Sequence, residues 1–585
     1  FDTQRAAAEE QHEDIFEERA DSTQDDDLPP PPATITVPAS GRDPVTGWSF
    51  ARIGQQSRAL HATQAMGRWV SAGEETDFPL HLAQSRVSGP DETVASGLHQ
   101  TLRDLALGDV QGACDAAIAA FPDYAIVLKH ACVALQLLRQ ADSAPEISHK
   151  LERKEQQLIR VIHLAAGVDT RFTLNDDVLH PGSTTTFTSE VFAQTGDVAV
   201  TPRVLSGWSA DGGTLTLDNT AMISDPYPAT YLPGEPNAPC VDVTLTVAGV
   251  KAAASLAFEV PPVIVPQRSA AVRPDADVIN LAHNRRSVVI GVSDVSPSGA
   301  TLGLRAPDGW TVTEDGNLTV TAPNDVLPGL YDIGLTLDDH DAQSVRHIRR
   351  PHIAPRALVR PAITQVRVVD AALPDVRVGY IGGGNDRVYV WLDRMGVQVT
   401  DLSDVDLTDA TLAACDTLVI GIFAMKFRPG LADAMPRIHN WVRAGGTLVT
   451  LYHRPWDNWD PGTTAPYRLE IGQPSLRWRV TDEAAAVTVL APDHALLNTP
   501  NRIGSADWAD WHKERGLYFA KSWDAAYTPL VAMNDVGEDP LHGALLAADV
   551  GKGRHVHTSL ILHHQMEKLT TGAFRLMANL LAKRS

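Results

Sequence analysis

The spacing of apolar residues changes along the chain, and the first change separates helical from β structure. In "HKLERKEQQLIRVIHLAAGV" the apolar residues recur close to every 3.6 positions, and they fall on one stripe of a helix. The members of this stripe are Leu151, Leu158, Ile159 and Ile162. From Asp169 the apolar period becomes two, in short β-branched runs separated by Gly, Pro, Asn and Asp. We therefore predict helices before Asp169 and antiparallel sandwiches after it.

A third pattern follows residue 372. The apolar stretch "CDTLVIGIFA", the amphipathic stretch "MPRIHNWVRAGG" and the apolar stretch "TLVTLYH" alternate, which predicts a parallel sheet flanked by helices. The predicted fold is multidomain: a helical N-terminal segment, two β-sandwiches and a C-terminal α/β domain. "PDGWTVTEDGNLTVTAP" resembles bacterial immunoglobulin-like modules, so the sandwiches are expected to be immunoglobulin-like. The predicted parts are a flexible acidic and proline-rich segment at 1–47, a helical part at 48–168, sandwiches at 169–261 and 262–357, a linker at 358–372 and the α/β domain at 373–585.

The composition excludes some partners. The chain has 49 Lys and Arg against 72 Asp and Glu, a net charge of −23, which repels nucleic acid and anionic membrane surfaces. The four cysteines contain no CxxC pair, which argues against a zinc knuckle or a disulfide scaffold. The compartment stays open, with an extracytoplasmic one favoured.

Candidate chemistry gathers where the strands of the α/β domain end. "TLVTLYHRPWDNWD" at 447–460 runs from a predicted buried strand into a loop of aromatic residues and carboxylates, at the edge where parallel sheets bind ligands. Aromatic faces among carboxylates and arginines suit a sugar, and the alternative is a buried structural network. The candidate pocket residues are Asp386, Tyr452, His453, Arg454, Asp493, His494, Arg515 and His563.

The order of elements in this last domain resembles the class I glutamine amidotransferase-like, flavodoxin-like fold. Active members of that family carry a nucleophilic Cys after the strand that follows "WVRAGG". Here Tyr452 and His453 follow "TLVTL", and Cys415 precedes a different strand. Because a phenol or an imidazole cannot replace the thiolate, we predict no catalytic residue of that type. His555 and His557 share one strand face, which fits either a metal or an ordinary pair of strand histidines.

Two further stretches resemble the long bacterial members of the PIG-L/LmbE-like N-deacetylase family. "DPVTGWSFARIGQQSRALHATQAMGRW" at 43–69 is similar to the end of the catalytic domain, so 48–168 is expected to hold that end and a helical connector. The stretch at 479–562 that begins "RVTDEAAAVTVLAPDH" is similar to the C-terminal domain of those members. The resemblance makes His61 and Gln64 candidate substrate-side residues.

The family's zinc site uses a His-Pro-Asp-Asp motif, which this sequence lacks. We expect no metal ligands or cofactor in this chain, zinc only in a missing catalytic segment or a partner chain, and hence a fragment of a longer protein. The resemblance implies a non-catalytic accessory portion of a zinc-dependent N-deacetylase that positions or recognises N-acetylated carbohydrate. The alternatives are a self-standing carbohydrate-binding or scaffold protein and an enzyme that uses the C-terminal pocket.

Overall fold

The computed structural model describes residues 32–38, 41–44, 46–60, 77–82, 84, 101–141, 147–224, 238–315, 317–350 and 353–584. These residues form a multidomain chain with helical, β-rich and α/β parts. They divide between two compact units. One unit holds Leu28–Ser269 and Gln343–Arg360, and the other holds Ala270–Ala342 and Pro361–Ser585. No helix in these ranges has the length and apolar character needed to cross a membrane.

The helices of the first unit lie before Asp169, in the part of the chain that the sequence predicts to be helical. They are α1 (Phe50–Ala59), α2 (Gly108–Ala120), α3 (Tyr124–Gln140) and α4 (Ser148–Ala165). The Asp123 side chain caps α3 by accepting a hydrogen bond from the Ile126 amide at 3.2 Å. The predicted stripe of α4 is buried in a core shared with Ala131 and Leu135, so the apolar face fixes how the helices pack.

The strands of the first unit form small sheets. They are β1 (Ile35–Pro38), β2 (Asp77–Leu80), β3 (Asp169–Leu174), β4 (Val178–Leu179), β5 (Thr184–Phe192), β6 (Asp197–Arg203), β7 (Trp208–Asp211), β8 (Thr214–Leu217), β9 (Cys240–Val247), β10 (Val250–Ala257) and β11 (Val263–Ile264). Antiparallel sheets of order β3-β5-β8-β7 and β10-β9-β6 enclose a core that includes Phe172, Leu215 and Val243. Strand β1 pairs with β2, which corrects the prediction of a flexible segment over all of 1–47.

A late segment of the chain returns to this first unit. It holds β20 (Gln343–Arg350) and most of β21 (Ile353–Pro361). The Gln343 amide donates to the Arg268 carbonyl at 3.1 Å, and Ala357 packs with Val263 and Val265 in a small core. The boundaries predicted for 262–357 and 358–372 are therefore corrected: 343–360 completes the first unit, and the predicted linker holds strand structure.

The second unit contains a further pair of β layers. Its strands are β12 (Ser269–Arg273), β13 (Ala276–Asn280), β14 (Ser287–Ser296), β15 (Leu302–Arg305), β16 (Thr311–Glu314), β17 (Leu318–Thr321), β18 (Gly329–Leu337), β19 (His340–Asp341) and β22 (Ile363–Val369). One layer has the order β13-β22-β18-β15 and the other runs β16-β17-β14-β12. Ile279, Ile290, Val320 and Leu335 from the two layers share one core. Positions of higher and lower exposure alternate along β17 and the first half of β14, which places their apolar side chains in this core.

The remainder of the second unit is an α/β domain. Its strands are β23 (Arg377–Ile381), β24 (Gln398–Asp401), β25 (Thr417–Ile420), β26 (Thr447–Thr450), β27 (Leu469–Ile471), β28 (Thr488–Val489), β29 (Ala520–Trp523), β30 (Tyr527–Pro529), β31 (Val531–Ala532), β32 (Leu545–Val550) and β33 (Gly553–Thr558). Its helices are α5 (Val388–Arg394), α6 (Asp409–Ala413), α7 (Ala424–Phe427), α8 (Leu431–Ala444), α9 (Ala495–Asn498), α10 (Leu562–Glu567) and α11 (Thr571–Leu581).

The main sheet of this domain has the order β24-β23-β25-β26-β33-β32-β30. The first five strands are parallel, and β32 and β30 are antiparallel to their neighbours. Every residue of β25, β26 and β33 is buried, as expected for strands covered on both faces. Their carboxyl ends therefore meet along one edge of the sheet.

A buried ion-pair group joins the sandwich of the second unit to this α/β domain. Asp277 on β13 accepts from Arg285 Nη2 at 2.5 Å, and Arg394 Nε on α5 lies 3.8 Å from the same carboxylate. Asn280 Nδ2 donates to the carbonyls of Ala371 and Met395 at 2.9 and 3.1 Å. These contacts hold β13 against α5.

Candidate functional site

Four of the candidate pocket residues follow parallel strands at the carboxyl edge of the main sheet. Asp386 lies in the loop after β23, and Tyr452 and His453 follow β26. His563 lies at the start of α10, shortly after the end of β33. Phe423, which follows β25, joins them. The structure therefore collects residues that are up to 177 positions apart in the sequence (563 − 386) at the edge where parallel sheets bind ligands.

Asp386 links the carboxyl ends of β23 and β25 through hydrogen bonds. One carboxylate oxygen accepts from the Tyr380 hydroxyl at 2.6 Å and the Val388 amide at 2.9 Å, and the other accepts from the Ile422 amide at 2.9 Å. Burial raises the pKa of this carboxyl, against the effect of its hydrogen bonds. With its three donors inside the protein, Asp386 supports the edge rather than presenting a free oxygen to a ligand.

His453 is fully buried, and both ring nitrogens have protein partners. Nδ1 lies 2.8 Å from the Leu451 carbonyl, so it carries the proton, and Nε2 accepts from the Met425 amide at 3.2 Å. Only the neutral ring can satisfy both contacts. Burial accordingly lowers the pKa of His453 to about 4.

We expect His453 to make the domain sensitive to acid. Its pKa is about 4 in the folded protein and about 6.5 in an unfolded chain, so below pH 6.5 the unfolded state binds the proton first. The contribution is complete above pH 6.5 and is lost as the pH falls toward 4, by about 3 kcal/mol. Urea unfolding at pH 7, 5.5 and 4.5 measures the loss. His453→Asn should reduce the slope of the free energy of unfolding against pH. An equal slope in His453→Asn and in the exposed control His542→Gln would contradict this.

Arg454 forms a buried ion pair. Its exposure is 7%, and its Nη2 donates to Asp457 Oδ1 at 2.7 Å. The Arg454 backbone amide donates to the other oxygen of Asp457, also at 2.7 Å. The guanidinium lies over the Phe423 ring at 4.3 Å. Arg454 therefore belongs to the structural network that the sequence left open as an alternative.

Aromatic rings and one carboxylate surround Tyr452, and we name this group the carboxyl-edge cluster. Its members are Phe423, Tyr452, Trp456, Glu514, Tyr518 and His563. The Tyr452 ring centroid lies 5.2 Å from that of Phe423 and 5.6 Å from that of His563, and it stacks on Tyr518 at 6.4 Å. Burial, with the Glu514 carboxylate nearby, raises the pKa of the Tyr452 phenol. The hydroxyl is therefore protonated and able to donate a hydrogen bond.

Three buried polar atoms of the carboxyl-edge cluster have no hydrogen-bond partner among the described residues. They are Trp456 Nε1, Glu514 Oε1 and His563 Nδ1. Glu514 Oε1 forms an ion pair with the Lys513 ammonium at 3.5 Å. Burial lowers the pKa of His563 to about 4, so its ring is neutral at pH 7. Buried polar groups are almost always paired, so these three atoms are exceptions among the described residues, as are five other buried side-chain atoms.

The other candidate pocket residues do not join this cluster. Arg515 donates from Nη1 to the Trp508 carbonyl at 2.7 Å and from Nη2 to the Ala485 carbonyl at 2.8 Å. His494 caps α9 by accepting from the Leu496 amide at 3.2 Å, and Asp493 is exposed.

His494 also interacts electrostatically with Arg554, which pairs with Thr447 at the amino end of β26. The polar partners of His494 and Arg515 therefore lie outside the carboxyl-edge cluster, and the prediction that Asp493, His494 and Arg515 line the same pocket as Tyr452 stays a prediction. His61 and Gln64 lie outside the described residues.

His555 and His557 point into the sheet, where Thr450 bridges them. The Thr450 hydroxyl lies 3.1 Å from His555 Nε2 and 2.9 Å from His557 Nδ1. In the described part of the chain, no group of three or more His, Cys, Asp or Glu is placed to hold a metal. Cys415 is buried just before β25, at the amino end of the sheet.

Sequence reasoning missed Phe423 and Glu514. Phe423 sits at the start of a four-residue helix with a positive φ of 56°, which no local pattern indicates. Glu514 directly precedes Arg515 in "WHKERGLYF", where the sequence analysis names only the arginine as a candidate. Trp456 was visible in the loop at 447–460, as one of its aromatic residues.

No protein-family model and no curated protein matches this chain. A cytoplasmic protein from Salmonella typhimurium is similar in structure at 12% identity and a TM-score of 0.27, with 36% of this chain and all of that chain covered. A β-galactosidase from Rahnella sp. R3 is similar at 16% identity and a TM-score of 0.21, with 35% of this chain and 31% of that chain covered.

An exo-β-1,4-mannosidase from Opitutaceae bacterium strain TAV5 is similar at 14% identity and a TM-score of 0.21, with 36% of this chain and 37% of that chain covered. This chain thus spans about a third of the length of each of the two glycosidases. At these TM-scores the similarities carry no argument about fold or function.

Proposed function

We propose that this chain is a non-catalytic accessory portion of a PIG-L/LmbE-like N-deacetylase system, and that its carboxyl-edge cluster recognises N-acetylated carbohydrate. The observation that supports recognition is the set of three buried polar atoms without a hydrogen-bond partner, on Trp456, Glu514 and His563, among aromatic rings. A sugar ring has an apolar face, which stacks on aromatic rings, and hydroxyl groups around its edge, which donate and accept hydrogen bonds. A sugar therefore suits both the aromatic rings and the polar atoms of this cluster.

The proposal includes the fold type of the α/β domain. Numbered along the sequence, its five parallel strands have the order 2-1-3-4-5, which supports the flavodoxin-like, class I amidotransferase-like assignment. The two β-layer regions support the immunoglobulin-like assignment through their facing sheets, in which most pairs are antiparallel and β13 pairs with β22 in parallel. In this proposal a binding site takes the place of the nucleophile after β26.

The scaffold alternative has one observation in its favour. Asp386, His453 and Arg454 each use their polar atoms on protein partners, as a purely structural edge would. The two functions therefore differ in what the carboxyl-edge cluster does, because only recognition requires a ligand on Trp456 and Glu514.

Binding of the N-acetylglucosamine trimer, measured by calorimetry, tests the proposal. We expect Trp456→Phe, which keeps an aromatic face but removes the indole donor, and Glu514→Gln each to weaken binding roughly ten- to a hundredfold. Trp208→Phe in the first unit and Glu538→Gln in an exposed loop are matched controls and should bind like the wild type. Absence of heat with the wild-type protein, across a panel of N-acetylated and plain oligosaccharides, would leave the scaffold role.

A further inference from the structure

A chain of hydrogen bonds crosses the interior of the α/β domain and ends at the carboxyl-edge cluster. It begins at the Tyr527 hydroxyl, 2.6 Å from His555 Nδ1, and passes through Thr450 to His557 at the distances given above. His557 Nε2 lies 3.4 Å from Ser559 Oγ, which donates to the Tyr518 carbonyl at 3.0 Å. The five side chains are all at most 4% exposed.

The direction of every hydrogen bond in this chain follows from its last member. A carbonyl only accepts, so the Ser559 proton lies toward Tyr518, and Ser559 Oγ must accept from His557 Nε2. A neutral His557 then accepts at Nδ1 from the Thr450 hydroxyl at 2.9 Å, which is nearer to that hydroxyl than its other acceptor, the Val556 carbonyl at 3.5 Å.

Thr450 in turn accepts from His555 Nε2, which leaves His555 Nδ1 to accept from Tyr527. Both imidazoles therefore carry their proton on Nε2. Burial lowers the pKa of His557 to about 3 and that of His555 well below its usual value, which keeps both rings neutral at pH 7.

The residue at the end of the chain is held in an unfavourable backbone conformation. Tyr518 has a φ of +54°, in the left-handed region that residues other than glycine rarely adopt. Its ring stacks on Tyr452 and meets the Trp456 ring edge-on at 5.6 Å. A fixed carbonyl at Tyr518 therefore fixes one wall of the carboxyl-edge cluster.

We propose that Thr450, His557 and Ser559 are positioning residues, which hold Tyr518 in place for ligand binding through this directed chain of hydrogen bonds. The ligand-binding part rests on the proposed function, whereas the direction of the chain does not. Hydrogen bonds that run in one sense polarise one another, so the Thr450 link also strengthens the link at Ser559.

Nuclear magnetic resonance of the full chain, with 15N-histidine and carbonyl-13C-tyrosine labels, tests the direction. We expect His555 and His557 to be protonated on Nε2, with His557 assigned by comparison with His557→Asn. Thr450→Val keeps the shape of the side chain and removes its hydroxyl, so it should shift the His557 Nδ1 and Tyr518 carbonyl signals, and Thr450→Ser should restore both. A proton on His557 Nδ1 in the wild type, or an unchanged Tyr518 carbonyl signal in Thr450→Val, would overturn the proposal.

Affinity provides the second readout. We expect Thr450→Val to weaken binding of the N-acetylglucosamine trimer roughly five- to tenfold, and Thr450→Ser to bind like the wild type. Ser559→Ala removes the last two hydrogen bonds and leaves Thr450 in place, so it provides the test if Thr450→Val does not fold. Wild-type affinity in a Ser559→Ala protein would overturn the positioning role. If the wild type binds no sugar but the signals shift as expected, the proposed function fails and the directed chain stands.

Discussion

Arg454→Ala is expected to lower the free energy of unfolding by about 3–5 kcal/mol, because it leaves the Asp457 carboxylate buried without its cation. Asp457 is fully buried, and two guanidinium nitrogens of Arg454 contact it at 2.7–3.1 Å. The substitution also removes the cation from the face of Phe423. Urea unfolding at pH 7 measures the change.

A matched control is available for Arg454. Arg468 pairs with Glu470 at 2.9 Å, but its side chain is 61% exposed, so Arg468→Ala should cost about 1 kcal/mol or less. The double variant Arg454→Met with Asp457→Leu should recover most of the stability, since it removes both charges. A loss below about 1 kcal/mol in Arg454→Ala would show that Asp457 finds another partner or reaches water.

Asp277→Ala is expected to lower the free energy of unfolding by about 2–4 kcal/mol, because Arg285 and Arg394 lose their shared carboxylate. The side chain of Asp277 is 3% exposed, whereas those of the two arginines are 31% and 23% exposed. Water therefore compensates part of the loss, and the estimate is lower than for a fully buried pair.

Asp341→Ala is the control for Asp277, because Asp341 forms an exposed pair with Arg305 in the same sandwich. We expect that control to change stability by about 1 kcal/mol or less. Unfolding followed by tryptophan fluorescence and by circular dichroism measures both variants. Equal losses in the two variants would show that the group at Asp277 does not hold β13 to α5.

The sequence predicted the parts of the site that depend on local pattern. Buried strands with β-branched residues, such as Thr447–Thr450, set where the chain reaches the carboxyl edge, and the residues just after those strands follow from that position. The positions of Tyr452, His453 and His563 at this edge follow from such patterns. The partners of Arg515 and His494, such as the Trp508 carbonyl and the Leu496 amide, could not be predicted because they are set by loop paths between strands. No period of apolar residues describes such a path.

The same contrast holds for the domain boundaries. The change from a period of 3.6 to a period of two marks the step from α4 to β3 correctly, because both patterns are set by local burial. The sequence does not show that 343–360 returns to the first unit, because a strand has the same alternation of apolar and polar residues in whichever sheet it pairs. The tertiary contact between the Gln343 amide and the Arg268 carbonyl shows which unit this segment joins.

That return has a consequence during synthesis on the ribosome. Val263 and Val265 leave the exit tunnel well before Ala357, their partner in the small core. At a translation rate of about 5–20 residues per second, the delay is roughly 5–20 s, during which most of the sandwich of the second unit is already made. The growing polypeptide must therefore keep an apolar surface of its first unit uncovered while a later unit emerges, and this interval is when a chaperone has most to bind.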